Sequence, residues 1–193
     1  RSIFRDDDRR DENGGVVREL KQAYLPSEKV VTMDASGVII RPYEASDLKI
    51  IKEITLEAFE RVSIDKNIED RFGKLGGTDW RERKAKHIDD DIAANPEGIL
   101  VAEYQGQVVG YVTITLDART RLGRIPNLAV KAGLRGLGIG SKLIEAACEY
   151  MKSRGMTHGK IETLDQNEVG LHLYPKMGFE EVARQVHFVK KLQ

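Results

Sequence analysis

Apolar residues recur in this chain with two different periods, and each change of period marks a new element. In "ILVAEY" and "QVVGYVTITL", residues 99–104 and 107–116, β-branched and aromatic residues predict two strands joined at "QGQ", the second with the more regular alternation. "RIPNLAV" and "KIETL" read as two further strands. A helical period appears at Leu48, Ile51, Ile54, Leu56 and Phe59, behind Ser46 or Asp47 as the cap. "WRERKAKHIDDDIAANPEG" returns to helix from Trp80 to Asn95, where Pro96 and Gly98 end it. A third helical stripe holds Leu143, Ile144, Ala147 and Met151 and closes at Gly155. "NEVGLHLYPKM" predicts the last helix, and "FEEVARQVHFVKKL" one bent strand or two short ones.

Between these segments the pattern weakens. "RSIFRDDDRRDENGG" is too polar to bury much surface and reads as a charged arm. "VVRELKQAYLP" predicts a short helix stopped by Pro26, and "KVVTM" and "VIIRPY" a hairpin around "DASG". Residues 61–80, with "FGKLGGTDW", read as a long irregular loop. Taken together, residues 1–37 form an extension of arm, short helix and strand, and residues 38–193 form one domain.

Composition narrows the partners. Acidic and basic residues balance at 31 each, so no net field favours nucleic acid or an anionic membrane. The single cysteine, Cys148, excludes an internal disulfide framework, and no apolar stretch approaches the roughly 20 residues that span a bilayer. No basic-then-apolar leader opens the sequence. These features predict a soluble, cytoplasmic protein.

The chemistry concentrates in "LAVKAGLRGLGIGSKLIEAAC", where Gly133, Gly136, Gly138 and Gly140 sit directly before a helix. A strand entering a glycine-rich turn and then a helix aims main-chain N–H groups and the positive end of a helix dipole at one volume, which suits a phosphate. Arg135 adds a charge-assisted donor. Ser141 separates Gly140 from Lys142, so the loop is no Walker sequence. Gly136, Gly138 and the small Ser141 nearly fit the dinucleotide spacing, with Glu162 as a ribose-binding acid, and a dinucleotide-binding protein is one alternative.

The same stretch resembles the signature of the GNAT superfamily of N-acetyltransferases, whose element Arg/Gln-x-x-Gly-x-Gly/Ala is matched by Arg135, Gly138 and Gly140. Asn167, Tyr174, Gly178 and Phe179 match that superfamily's Asn…Tyr…Gly-Phe tail, with Gly170 where it has alanine. The resemblance implies an α/β fold: a mixed central sheet, flanked by helices, that splays open at an acetyl-coenzyme A site between Leu128–Val130 and Ile161. It implies that the amides of Arg135, Gly136, Leu137, Gly138, Ile139, Gly140 and Ser141 hold the pyrophosphate, while Leu128, Ala129 and Val130 pair with the pantetheine arm. Asn167 then caps its helix or bonds that arm, and Tyr174 lies beside the thioester.

An amine must be neutral to attack. At pH 7 a chain-terminal amine is roughly a tenth neutral and a lysine well below one part in a thousand. By resemblance to the ribosomal-protein amino-terminal acetylases, Glu162 is the base and Tyr174 the acid that protonates the departing thiolate. The acceptor implied is a small-molecule or peptide amine, a protein amino terminus among them. A noncatalytic coenzyme A-binding module would share the loop without needing Glu162 or Tyr174. The extension is available to cover a sheet edge or reach a second copy, which brings a homodimer into view. His87, His158, His172 and His187 form no metal-ligand spacing, so no metal is expected. Cys148 reads as a small core residue, and Asp89–Asp91 as a solvated face. Phe72 and Trp80 border the acceptor side or pack the loop onto the sheet, the two readings being equal.

Overall fold

The computed structural model describes residues 9–10, 16–19, 32–33 and 37–192. Arg9–Arg10 (β1), Val16–Glu19 (β2) and Thr32–Met33 (β3) pair with one another in that order, both pairs antiparallel. Val38–Pro42 (β4) leads to three helices, Leu48–Phe59 (α1), Ile64–Phe72 (α2) and Trp80–Ala94 (α3). Five strands follow: Ile99–Tyr104 (β5), Gln107–Thr113 (β6), Thr115–Asp117 (β7), Leu122–Ile125 (β8) and Leu128–Val130 (β9). The helix Ile139–Ser153 (α4), the strand His158–Ile161 (β10) and the helix Glu168–Lys176 (α5) complete the order.

Gln105 and Gly106 both take positive φ, the turn whose twist matches a tight hairpin, and so fold β5 against β6. The antiparallel sheet runs β4-β5-β6-β9. Its two faces bury separate sets of side chains. Ile99 and Val101 of β5 and Tyr111 of β6 meet Ile51, Ile54 and Ile88 of α1 and α3. Ala102, Val109 and Val112 meet Leu143, Ala147 and Met151 of α4. A bulge puts Val109 out of register, pairing Ala102 with Gly110 but Glu103 with Val108, and so keeps both faces apolar across the shift. Each fully buried Ile, Leu or Val contributes about 1.5–3 kcal/mol by leaving water. Tyr111 keeps its hydroxyl on Thr55 Oγ1 at 2.6 Å, which satisfies the one polar atom it carries into the core.

A second sheet, β10-β8-β7, joins β10 to β8 in parallel through Ile161 and Ile125, and β8 to β7 antiparallel. Several sequence expectations change here. The long strand expected at 107–116 breaks at Ile114 into β6 and β7, and "RIPNLAV" breaks at Pro126–Asn127 into β8 and β9, because each half pairs in a different sheet. Residues 61–80 are not all irregular: Ile64, Ile68 and Phe72 space one turn apart on α2, which ends at Gly73 with φ 79°. Val16–Glu19 is a strand and not the start of a helix, since pairing on both edges outweighs a weak helical period; the rest of that expected helix lies outside the described residues. Within the arm, Arg9 and Arg10 pair with Val17 and Val16. The hairpin around "DASG" is replaced by pairing of β3 with β2 and of β4 with β5. Residues 179–192 form no strand, because alternation supplies a face and not a partner edge.

Gly110 on β6 faces β9, and a Cβ built there meets the Ala129 carbonyl oxygen at 2.9 Å. Gly110→Ala is therefore expected to push β9 outward and lower stability by about 1–3 kcal/mol in denaturant unfolding; a stability equal to that of the parent chain would mean that β9 yields without cost.

Candidate active site

The two sheets part where the chain crosses from β8 to β9. Pro126 has no N–H to extend the ladder, and the buried Asn127 takes over with its side chain. Asn127 Oδ1 accepts from Lys84 Nζ at 2.7 Å, and its Nδ2 donates to Asp91 Oδ2 at 2.7 Å. Thr113 Oγ1 donates to the same Asp91 oxygen at 2.6 Å, while the Thr113 N–H donates to the Asn127 carbonyl at 2.8 Å. Asp91 thus belongs to a polar network under the crossing and not to a solvated face. Lys84 Nζ also stands 3.8 Å from the centre of the Phe59 ring. Burial pushes the Lys84 pKa down to about 8, against the opposing pull of Asp65 and Asp91. None of these residues carries a motif; only their distance in sequence from one another, bridged by the fold, makes them a unit.

Beyond the crossing, β9 is the last strand of its sheet, and among the described residues one of its edges has no strand partner. The bonds from Thr113 N–H to Asn127 O and from Lys131 N–H to Val109 O fix which residues face β6. By the alternation of an antiparallel ladder, Ala129 turns its amide to β6, and Leu128 and Val130 turn theirs to the open edge. Arg135 Nε already donates to the Val130 carbonyl, at 3.3 Å.

The glycine loop starts as a single tight turn at 132–134 and then reverses twice. Gly136 (φ 80°) and Gly138 (φ 83°) occupy the left-handed region that a side chain resists. Between and after them, Leu137 and Ile139 are buried in the core beneath α4. The apolar side chains point down and the main chain is held up. At Gly140 the constraint is space, since a Cβ there meets Leu173 Cδ2 at 3.3 Å. Gly133 shows neither a positive φ nor a close neighbour, so its presence has no structural reason here. Among the described residues, the N–H groups of Gly136, Leu137, Gly138, Ile139, Gly140 and Ser141 have no hydrogen-bond acceptor. They lie at and just before the start of a 15-residue helix, and Lys131, Arg135 and Lys142 are near them in sequence.

Across the gap, Asn167 caps α5: its Oδ1 accepts from the Gly170 N–H at 3.2 Å, and its Nδ2 donates to Thr163 Oγ1 at 2.8 Å. A Cβ at Gly170 would lie 2.7 Å from that Nδ2 and 3.2 Å from the Tyr174 ring, so the alanine of the motif would require the Asn167 side chain to shift. Tyr174 is half-buried, edge-on to Phe179 with ring centres 6.3 Å apart. Its hydroxyl makes no hydrogen bond among the described residues, and burial pushes its pKa up to about 12. Glu162 follows β10 instead of ending it; its side chain is two-thirds exposed and sits 2.5 Å from Lys160 Nζ. Gln166, missed in the sequence, ties this loop to the start of α2: Nε2 donates to the Arg61 carbonyl at 2.6 Å, and Oε1 accepts from Asn67 Nδ2 at 3.0 Å.

Trp80, Phe72 and Cys148 take distinct environments. Trp80 is fully buried, which leaves it the packing role, whereas Phe72 is exposed. Cys148 is half-buried, and burial pushes its thiol up, away from nucleophilic character. Among the described residues no group of His, Cys, Asp and Glu could hold a metal ion, and no helix is long and apolar enough to cross a membrane.

Residues 61–179 match the family model described as "Acetyltransferase (GNAT) family". An uncharacterized N-acetyltransferase of Methanocaldococcus jannaschii is 28% identical over 145 residues, covering 68% of this chain and 63% of that protein. Mycothiol acetyltransferase of Streptomyces griseus is 23% identical over 163 residues, covering 84% of this chain and 50% of that one. The chain therefore spans between half and just under two thirds of these curated relatives. In fold, it resembles the PaiA N-acetyltransferase from Thermoplasma acidophilum, solved in complex with coenzyme A: TM-score 0.60, 21% identity, 74% of this chain and 89% of that one.

Between about pH 8 and 10.5 the unfolded chain binds a proton at Lys84 that the folded chain does not, so this group's contribution to stability rises with pH across that window. The parent should gain on a Lys84→Met variant by on the order of 3 kcal/mol over that range. Parallel pH dependences of the two denaturant midpoints would show that Lys84 keeps an ordinary pKa.

Proposed function

Because the chain belongs to the acetyltransferase (GNAT) family, we propose that it is an N-acetyltransferase moving the acetyl group of acetyl-coenzyme A to a primary amine, by direct attack in a ternary complex. One observation carries this reading: six consecutive main-chain N–H groups, from Gly136 to Ser141, that have no acceptor among the described residues, with β9 as the edge strand that precedes them. A diphosphate needs such donors at a helix start, and an extended amide-bearing arm needs such an edge. Acetyl-coenzyme A supplies both, together with an acetyl thioester already activated toward amines. In the same reading residues 38–193 are the transferase domain and 1–37 an extension, consistent with β1–β3 pairing, among the described residues, with one another alone.

This chain's residues divide the work. The amides of Gly136–Ser141 and the Arg135 guanidinium hold the pyrophosphate. Leu128 and Val130, whose main-chain groups face outward, pair with the pantetheine arm, and the Leu128 N–H polarises the acetyl carbonyl. Leu137 and Ile139 contribute amides only, since their side chains are in the core. Asn167 spends one Nδ2 proton on Thr163 and has a second for the arm. Tyr174, with its pKa near 12, stays protonated at neutral pH and steadies the departing sulfur by hydrogen bonding before any proton moves. Glu162 takes the proton of the acceptor amine, directly or through water. To do so it exchanges Lys160 for the incoming ammonium, one cation for another at the same carboxylate.

The ion pair at Glu162 is also what a noncatalytic coenzyme A-binding module would show, and a thiol-release assay on a panel of amines separates the two. Coenzyme A is expected to raise the melting temperature of the parent chain. Gly138→Ala, forcing a side chain into the left-handed region, should weaken coenzyme A binding about tenfold in calorimetry. Undiminished binding would remove the loop from the site. Tyr174→Phe should lower kcat with little change in coenzyme A affinity, and Glu162→Gln should shift or abolish the acid limb of the rate profile. An unchanged kcat in the first, or an unaltered profile in the second, would take that residue out of the chemistry.

A further inference from the structure

Where β6 ends, Thr113 faces Asn127, the residue before β9. A hydrogen-bonded antiparallel pair normally exchanges two main-chain N–H···O bonds. Here the Thr113 N–H does donate to the Asn127 carbonyl, at 2.8 Å, but the Asn127 N–H goes to Thr113 Oγ1, at 3.0 Å. A side-chain hydroxyl stands in for one of the two carbonyl acceptors. Thr113 is fully buried and follows a run from Val108 to Val112 that is buried and carries no other polar side chain than the Tyr111 hydroxyl, a place where valine would pack as well. The hydroxyl is therefore there for its bonds. Its proton goes to Asp91 Oδ2 at 2.6 Å, which leaves its lone pairs for the Asn127 N–H. Asp91 Oδ2 and Lys84 Nζ in turn hold the two ends of the Asn127 side-chain amide.

What this grip aims is the next amide. The peptide joining Asn127 to Leu128 is trans, and in a planar trans peptide the C=O and the N–H point in opposite directions. With the Asn127 carbonyl fixed on β6, the Leu128 N–H is fixed toward the edge of β9 that has no strand partner among the described residues. A carbonyl that accepts a hydrogen bond also polarises the peptide it belongs to, and so makes that N–H a stronger donor. No rung on the other side steadies this peptide, because β8 pairs with β7 and β10 and not with β6. Without the hydroxyl, one main-chain bond would set the direction of the Leu128 amide.

We propose that Thr113 is a positioning residue for acyl transfer: its hydroxyl, oriented by Asp91, locks Asn127 so that the Leu128 N–H points at the acetyl carbonyl. This role rests on the acetyl-coenzyme A reading above, and Thr113, being fully buried, touches neither coenzyme nor acceptor. A donor to a developing oxyanion is worth about 10²–10³ in rate, so a residue that only aims one is expected to matter about tenfold.

The test reads the carbonyl itself, with acetyl-coenzyme A as the probe and no acceptor present. In isotope-edited infrared difference spectra, the thioester C=O stretch should move to lower frequency on binding the parent, as that of a hydrogen-bonded carbonyl does. Thr113→Val keeps the shape and removes the hydroxyl; on folded protein it should lose most of that movement, while its calorimetric affinity for coenzyme A, which has no acetyl group, stays that of the parent. Thr113→Ser restores the hydroxyl and should restore the frequency. If valine prevents folding, Asp91→Ala, which takes away the acceptor that orients the hydroxyl, should raise the frequency in the same way. With the amine that the parent acetylates fastest, Thr113→Val should lower kcat about tenfold. A parent that binds no coenzyme A would remove the proposed function and this role with it. A parent that binds, with a carbonyl frequency that the valine or alanine variant leaves unmoved, would overturn the positioning role alone, as would a serine variant that behaves like valine.

Discussion

The architecture turns on Asn127. A strand that passes from one sheet to another must abandon its ladder for at least one residue, and buried peptide groups left without partners are costly. Asn127 resolves this at a single position. Its main chain pairs with Thr113 through both the N–H and the carbonyl, and its side chain engages a cation on one side and a carboxylate on the other. Because that knot holds, β8 can stay with β10 while β9 stays with β6, and the gap between β9 and β10 is kept open as a permanent feature of the fold. The cost is a buried ammonium at Lys84, offset by Asn127, the Phe59 ring and the fields of two carboxylates.

The glycine loop depends on that gap from above. A main chain that is to hold a phosphate, as proposed for this loop, has to be rigid and undersatisfied at once, two demands that oppose each other in water. Here the conflict is resolved by alternation: Leu137 and Ile139 anchor the loop in the same core that α4 seals, and Gly136 and Gly138 turn the intervening peptides outward. The bulge at Val109 takes part as well, since its carbonyl receives the Lys131 N–H where the loop departs. Sheet irregularity and the departure of the loop are therefore joined by one hydrogen bond.

The far rim is built more loosely. Asn167, Gly170 and Tyr174 are locked together by a cap so tight that a single methyl group would disturb it. Glu162 and Lys160, in contrast, lie in solvent, and the loop that carries Glu162 is tied down by Gln166 to the α1–α2 connection. In the proposed reading, the parts that would meet the coenzyme are fixed by core packing, and those that would meet the acceptor by surface contacts between segments about 100 residues apart. That difference suits a family with one acyl donor and many acceptors.

Local rules were enough for much of this. The periodicity of α1, α3, α4 and α5, the β5–β6 turn, the left-handed glycines and the cap at Asn167 all follow from neighbours within a few residues, and so did the main-chain cradle and the polar tail motif. Partner choice escaped such rules. Whether Val16 joins a helix or a strand, where residues 107–130 break, and whether "FEEVARQVHFVKKL" finds an edge depend on which surfaces come within reach only after folding. The same holds for Lys84, Asp91, Thr113 and Asn127, whose shared chemistry spans 44 positions of chain and exists only in the folded protein. Sequence determined the elements and the glycine cradle, because dihedral preference and side-chain period are properties of short segments. Tertiary structure decided the gap, its buried network and the environment of each titrating group, because hydrogen bonding and dielectric shielding depend on what lies across space.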